Sequence, residues 1–383
     1  MRVLIDAIAM RGGMVQYANE LATALAREHE VTVVTAATNV VLPNARVLGL
    51  EFSRGAIRGL GPAYRRLREY IREWRPDVVH VTAVNIRNLV LNRAFGRTPM
   101  VVTVHDVQLH PGDETLANRL ATWHHNRAGE FWIVHGAHSR RLLAAAGKPA
   151  DRIAVIPFGP LQPTINDVGP EPSTPTLLFF GRIRAYKGLD VLLRAARIVA
   201  QHIPELQVIV AGSGPLAPYR SLISGLRCEV INRFVPDEEI RGLFARSTVL
   251  VCPHVEASQS GVVPLAYGYG RALVASAVGD LPDAITDGQS GVLVPPGDIV
   301  VLAATLRSVL GDPSLRRRLR AGGQRMLQTK LSWTAVAAAT SEVYRAVQRG
   351  KLLRLPRPQA NVHRGDSGQA MSQEQLQRAR QQP

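Results

Sequence analysis

Short apolar runs separated by amphipathic stretches organise most of the chain. In the first half they read RVLIDAI, EVTVVTA, DVVHVTA, MVVTVHD and FWIVHG. In the second half they read TLLFFGRI, LQVIVAG, EVINRFV, TVLVCPH, ALVASAV and SGVLVPP. Runs this short and this apolar predict strands covered on both faces, and helical segments between most of them predict that the strands run parallel. One predicted helix, Tyr64 to Asp77, sets Leu67, Ile71 and Trp74 at helical spacing with arginines between them. The fold class expected is α/β, with two Rossmann-like parallel-sheet domains and a cleft between them.

The boundaries follow from where the alternation stops. An N-terminal domain is expected over 1–157. The stretch from Ile156 to Pro175 is rich in Pro and Gly and has little periodicity, which sets a linker at 158–175. A second domain is expected over 176–330, followed by a helix over 331–350 that packs back near the N-terminal domain. Residues 351–383 are polar, Gln-rich and poor in apolar residues, which predicts a disordered tail.

A length of 383 residues fits two domains with some chain left over. No run of 18 apolar residues exists, so no spanning helix is expected. The N-terminal MRVLIDAIAM could be a secretory signal, but no small-residue cleavage site follows it, and it reads better as the first strand. Two cysteines, Cys228 and Cys252, both beside apolar residues, predict buried thiols in a reducing, cytoplasmic setting. The net charge of +16 raises nucleic acid as a partner, but the basic residues are not interleaved with aromatics and no nucleic-acid module is present. The arginines of Tyr64 to Asp77 have two readings: a solvated helix face, or a basic face for peripheral association with the inner face of an anionic membrane.

In open parallel sheets, ligands sit beyond the carboxyl ends of the strands. Three glycine-marked loops lie there. The first carries Gly12 and Gly13, where the backbone can approach a ligand closely, although a pair of glycines also makes a plain turn. The second, GRIRAYKGLD, places Arg182 and Lys187 between a strand and a helix. Two cations at a strand end suit a diphosphate, or are simply solvated. The third, EASQSGVV, places Glu256 in a loop and Ser260–Gly261 at the start of a helix. On the N-terminal side a strand ends at His105–Asp106. His105 is a candidate for a sugar hydroxyl or for proton transfer, with a structural role as the alternative, and His110 shares that ambiguity. No Asp-x-Asp pair and no His/Cys cluster with ligand spacing occurs, so no metal or cofactor is expected.

From Met1 to about Lys351 the chain resembles the retaining glycosyltransferases of family 4, which have the GT-B fold. The resemblance is carried, in order, by Gly12–Gly13, TVHD, VIPFG, GRIRAYKG, AGSGP, RFVPDEEI, the 256–270 loop and helix, and VGDLPDAITDGQSGVLVPPGD. It implies transfer of a sugar from a nucleotide-sugar donor to an acceptor hydroxyl with the anomeric configuration kept. Arg182 and Lys187 match the pair that grips the donor diphosphate, with Gly13 and Gly261 as backbone partners. His105 matches the histidine that lines the sugar and acceptor side. Phe234 and Val235 match the region that holds the base. The wording of the 105–113 and 256–270 segments resembles a branch tied to surface or exopolysaccharide assembly, with a glycan or lipid-linked acceptor.

The family has two glutamates eight positions apart around the third loop. Aligned through Gly270, the second position here is Leu265, where a ribose-binding carboxylate is expected, and a leucine cannot accept a hydrogen bond. The first position is Glu256 if the loop holds one extra residue, and Ala257 otherwise. Phe158 stands where a histidine is common, and Asp280 where a glycine is common. The expected function is a metal-independent glycosyltransferase with His105 and Glu256 at the reacting sugar. The alternative is a non-catalytic GT-B protein that binds nucleotide or glycan. A GT-B epimerase is disfavoured because no paired carboxylates stand out for moving protons at a sugar carbon.

Overall fold

A computed structural model describes residues 1–8, 13–36, 42–52, 59–109, 115–161 and 167–350. The tail expected over 351–383, Gly12 and His110 lie outside them. The chain divides into two compact units. One is Met1–Pro163 together with the returning segment from Lys330, and the other is Thr164–Thr329.

The N-terminal unit has a seven-stranded, all-parallel sheet of β1 (Arg2–Ala7), β2 (Glu30–Thr35), β3 (Arg46–Gly49), β4 (Val78–Val81), β5 (Met100–Thr103), β6 (Phe131–Val134) and β7 (Ile153–Val155), in the order β3-β2-β1-β4-β5-β6-β7. Helices cover both faces, which is why strands such as β4 and β6 are buried along their whole length. On one face the helix Leu60–Trp74 buries Ala63, Leu67, Ile71 and Trp74 and turns its arginines to solvent. It stops at Arg75, left-handed at φ 51°, directly before Pro76. On the other face the helix Gly13–Leu25 packs with Trp333–Gln348, the last helix described. Tyr344 of that helix hydrogen-bonds His80 Nδ1 at 2.7 Å, and Trp333 Nε1 donates to Pro160 O at 2.8 Å.

The C-terminal unit has a six-stranded parallel sheet of β8 (Thr176–Phe180), β9 (Gln207–Ala211), β10 (Cys228–Ile231), β11 (Val249–Cys252), β12 (Ala272–Ser276) and β13 (Val292–Val294), in the order β10-β9-β8-β11-β12-β13. Strand order reverses between β1 and β4 in one sheet and between β8 and β11 in the other. Each sheet therefore has a crevice at the carboxyl ends of those strands.

The stretch expected as a linker, 158–175, is shared between the units. Phe158 is buried, and Gly159 lies so close to Trp333 that a Cβ on it would come within 2.8 Å of the indole. At the other end, the buried Arg271 donates to Gly169 O at 2.9 Å and Pro170 O at 3.0 Å, and Arg316 pairs with Glu171 at 2.7 Å. These bonds strap 167–171 onto the C-terminal unit. Cys252 is buried, while Cys228, on the edge strand β10, is half-buried. Both are free thiols.

Candidate active site

In the C-terminal unit, three loops that leave β8, β11 and β12 meet backbone to backbone. After β8 the chain turns through Ala185–Lys187 into Gly188, at φ 69°. A Cβ there would sit 1.9 Å from Pro253 O, so only glycine lets the first two loops close on each other. Tyr186 O accepts from Val255 N at 2.9 Å and from Glu256 N at 3.4 Å. The third loop joins through Asp280 N, which donates to Ser258 O at 2.7 Å. A Cβ on Gly279 would lie 1.8 Å from Ala257 O.

This frame brings Arg182 and Lys187 to the same aromatic side chain. Arg182 Nη2 donates to Tyr186 Oη at 3.4 Å, and Lys187 Nζ lies 5.3 Å from the Tyr186 ring centre. Lys187 Nζ also donates to His254 Nε2 at 2.7 Å. An ammonium only donates, so His254 accepts through Nε2 and carries its proton on Nδ1. Sequence reasoning misses His254. The signal that could have found it is its position two residues beyond β11, at the point of strand reversal. Glu256 lies in the same loop with an exposed side chain, while Ala257 beside it is buried.

Gly261 precedes the seven-residue helix Val262–Gly268. The N–H groups of Val262 and Val263 turn onto Ser260, at 3.4 Å to Oγ and 3.3 Å to O. Those two donors, expected to meet an anion, are thus directed to Ser260. Leu265, on that helix, is buried. Beyond β9 and β10 lies an open cavity of about 660 Å³ lined by Gly214, Leu216, Arg220, Ser224, Val230 and Asn232. Asn232 Oδ1 accepts from Gly214 N at 3.0 Å and ties its two walls together. Phe234, 75% exposed, and the buried Val235 follow Asn232 but do not line the cavity.

In the N-terminal unit, Gly13 opens the helix Gly13–Leu25, and a Cβ on it would approach Leu161 Cδ1 to 2.9 Å. His105 is almost fully buried and both its nitrogens are engaged: Nε2 with Thr82 O at 2.9 Å, Nδ1 with His135 Nε2 at 2.8 Å. Phe158 stacks on Tyr17 at 5.2 Å and meets His135 edge-on at 5.0 Å. Burial pushes His80 down to about 3 and His125 to about 4, because a charged ring would lose its water. Asp6, the next-to-last residue of β1, is pushed the other way, to about 7, by the same loss of water. Among the described residues, no group of three or more His, Cys, Asp or Glu converges as a metal site would require.

The pattern of the family described as "Glycosyltransferase Family 4" matches residues 11–159, and that of "Glycosyl transferases group 1" matches residues 174–312. A glycogen synthase of Mycobacterium tuberculosis is 33% identical over 316 residues, covering 76% of this chain and 73% of the relative. The chain belongs to the family 4 glycosyltransferases. A D-inositol 3-phosphate glycosyltransferase of Pseudarthrobacter chlorophenolicus is 27% identical over 387 residues and covers 88% of this glycosyltransferase and 90% of itself. Among solved structures, Anabaena HepE in complex with UDP-glucose superposes with a TM-score of 0.69 at 18% identity, over 90% of this chain and all of that one. Sucrose-phosphate synthase from Thermosynechococcus elongatus does so with 0.71 at 19% identity, over 91% and 100%. These likenesses place the glycosyltransferase in the GT-B fold.

Proposed function

We propose that this glycosyltransferase takes a nucleotide-sugar donor and transfers the sugar to an acceptor hydroxyl with retention of configuration, without a metal. The observation that carries the reading is the convergence of Arg182 and Lys187 on Tyr186 at the strand reversal of the C-terminal unit. In the transfer, the bond from the anomeric carbon to the phosphate oxygen breaks and a bond to the acceptor oxygen forms on the same face. The acceptor proton passes to the departing phosphate, whose charge the guanidinium and the ammonium take up. An ammonium has three donor hydrogens, so Lys187 can hold His254 through one and still meet a phosphate. A donor of this class agrees with HepE, solved with UDP-glucose. An acceptor belonging to a surface polysaccharide or its lipid-linked precursor is part of the same proposal. Roles for His105 and Glu256 at the reacting sugar, for Gly13 and Gly261 at the diphosphate, and for Phe234 and Val235 near the base belong to the same proposal.

The test is release of free nucleotide over a panel of nucleotide sugars, with Lys187→Ala alongside. Loss of the ammonium lowers turnover about a hundredfold or more. No release from any donor would count against transfer. The buried Leu265 favours a second reading, a binding protein without turnover. Calorimetric nucleotide binding with no release would support it. Loss of one ribose hydrogen bond costs about 1–3 kcal/mol, which weakens donor binding without abolishing it.

Membrane association belongs to the same proposal. No helix of the described residues is long and apolar enough to cross a membrane. However, the helix Leu116–Ala128 contains no acidic residue and exposes Leu116, Leu120 and Trp123 at 74%, 44% and 59%. Spacings of four and three put them on one face, and Arg127 lies 5.2 Å over the Trp123 ring. Arg65, Arg66 and Arg68 are exposed in the same unit. Co-sedimentation with phosphatidylglycerol vesicles should fall for Leu120→Asp with Trp123→Asp, and for the three arginines changed to Gln. Unchanged binding in both would sink the idea.

A further inference from the structure

His105 follows β5 and His135 follows β6, and three short contacts join them to the backbone. His105 Nε2 lies 2.9 Å from Thr82 O, His105 Nδ1 lies 2.8 Å from His135 Nε2, and His135 Nδ1 lies 3.0 Å from Ile156 O. All of these groups are buried. The two outer partners are carbonyl oxygens, which only accept, so both outer nitrogens must carry hydrogen. A neutral imidazole carries one. Two neutral rings would spend both hydrogens on the carbonyls and leave two lone pairs facing each other at 2.8 Å. Moving either hydrogen inward only shifts the clash to a carbonyl. Three hydrogen bonds need three hydrogens, and two neutral rings supply two.

We propose that the His105–His135 pair holds one extra, shared proton at neutral pH and is a buried monocation, with His135 as the positioning residue that fixes the ring and charge of His105. The charged and titratable groups around it are few. The Asp106 carboxylate, half-buried in the loop after β5, attracts positive charge on both rings. His125, on the helix Leu116–Ala128, opposes charge on His105 and is itself engaged with Thr103 O at 2.8 Å. Tyr17, from the helix Gly13–Leu25, meets both rings edge-on, at 4.8 and 5.6 Å. Burial pushes both rings down, because a charged imidazole loses its water. Against burial stand Asp106 and the cost of two buried lone pairs pressed together, a cost that vanishes once a proton lies between them.

The first test is long-range proton–nitrogen NMR of the full chain with labelled histidines, at pH 7.5. The proposal expects both outer nitrogens to bear hydrogen, the two facing nitrogens to share intermediate shifts, and neither ring to show an ordinary unprotonated nitrogen. Two ordinary neutral rings would overturn it. The second is His135→Gln, whose amide can donate to His105 Nδ1 and should leave His105 an ordinary neutral ring. Unfolded histidines titrate at about 6.5. A folded pair that keeps one proton above that value binds more protons than the unfolded chain, so wild-type stability falls as pH rises from 7 to 9, by up to tenfold in the folding constant per pH unit. In His135→Gln the pair's share of that slope is absent, leaving only what other groups such as Asp6 and the buried Cys252 thiol contribute, and identical slopes would also overturn the proposal. If the variant does not fold, the wild-type NMR decides alone.

Discussion

Asp6 is the next-to-last residue of β1, beside the strand reversal of the N-terminal sheet, and is completely buried. Its carboxyl accepts from Ile8 N at 3.1 Å and from Asn88 Nδ2 at 2.9 Å. These two bonds favour the carboxylate, but loss of water outweighs them and lifts its pKa from 3.8 to about 7. The sign of the linkage follows. Between the unfolded and folded values the native state binds the proton that the unfolded chain has released, so stability falls as pH rises through that window. Below about 4 the penalty is absent, and above about 7 it is complete. A rise of about three units corresponds to about 4 kcal/mol, the upper bound on what the carboxylate costs at pH 8. Asp6→Asn keeps the acceptor for Ile8 and introduces an amide donor. Asn88 Oδ1 is buried without a hydrogen-bond partner, so Asn88 can turn over and accept that donor. The variant should therefore be more stable than wild type at pH 8, by up to about 4 kcal/mol, with the advantage shrinking as pH drops toward 4. All four tryptophans, Trp74, Trp123, Trp132 and Trp333, lie in the N-terminal unit, so tryptophan fluorescence during urea unfolding reads the right transition. A difference between the two proteins that stays constant from pH 4.5 to 8 would refute the reasoning.

Gly188→Ala puts a Cβ 1.9 Å from Pro253 O at a left-handed φ of 69°. The conformation alone costs about 1–2 kcal/mol, and the overlap forces the Lys187 loop off the His254 loop. Calorimetry should show weaker nucleotide binding and a lower Tm; a variant matching wild type in both would contradict the packing described. Arg271→Met removes a buried guanidinium that donates to the carbonyls of Phe244, Gly169 and Pro170, and each carbonyl left buried without a donor costs about 1–3 kcal/mol. Limited proteolysis should then cut the strap at 167–171 far faster than in wild type, and an unchanged rate would show that other contacts hold it.

Local pattern determined much of this protein. Apolar runs gave eleven of the thirteen strands among the described residues, and the glycines around Arg182 and Lys187 marked the loop that ends at the strand reversal. The two that pattern missed, β3 and β7, are the two edge strands of the N-terminal sheet. Leu265 was legible as a missing carboxylate, but its burial was not. What no local pattern contains is the partner of a polar group. Lys187 meets His254 across 67 positions, His105 meets His135 across 30, and Arg271 reaches back 102 to Gly169. A hydrogen bond depends on distance in space, while a sequence records only distance along the chain. The elements and their order could therefore be read from the residues, whereas the charge state of the histidine pair and the setting of the two cations were decided only when the strand ends came together.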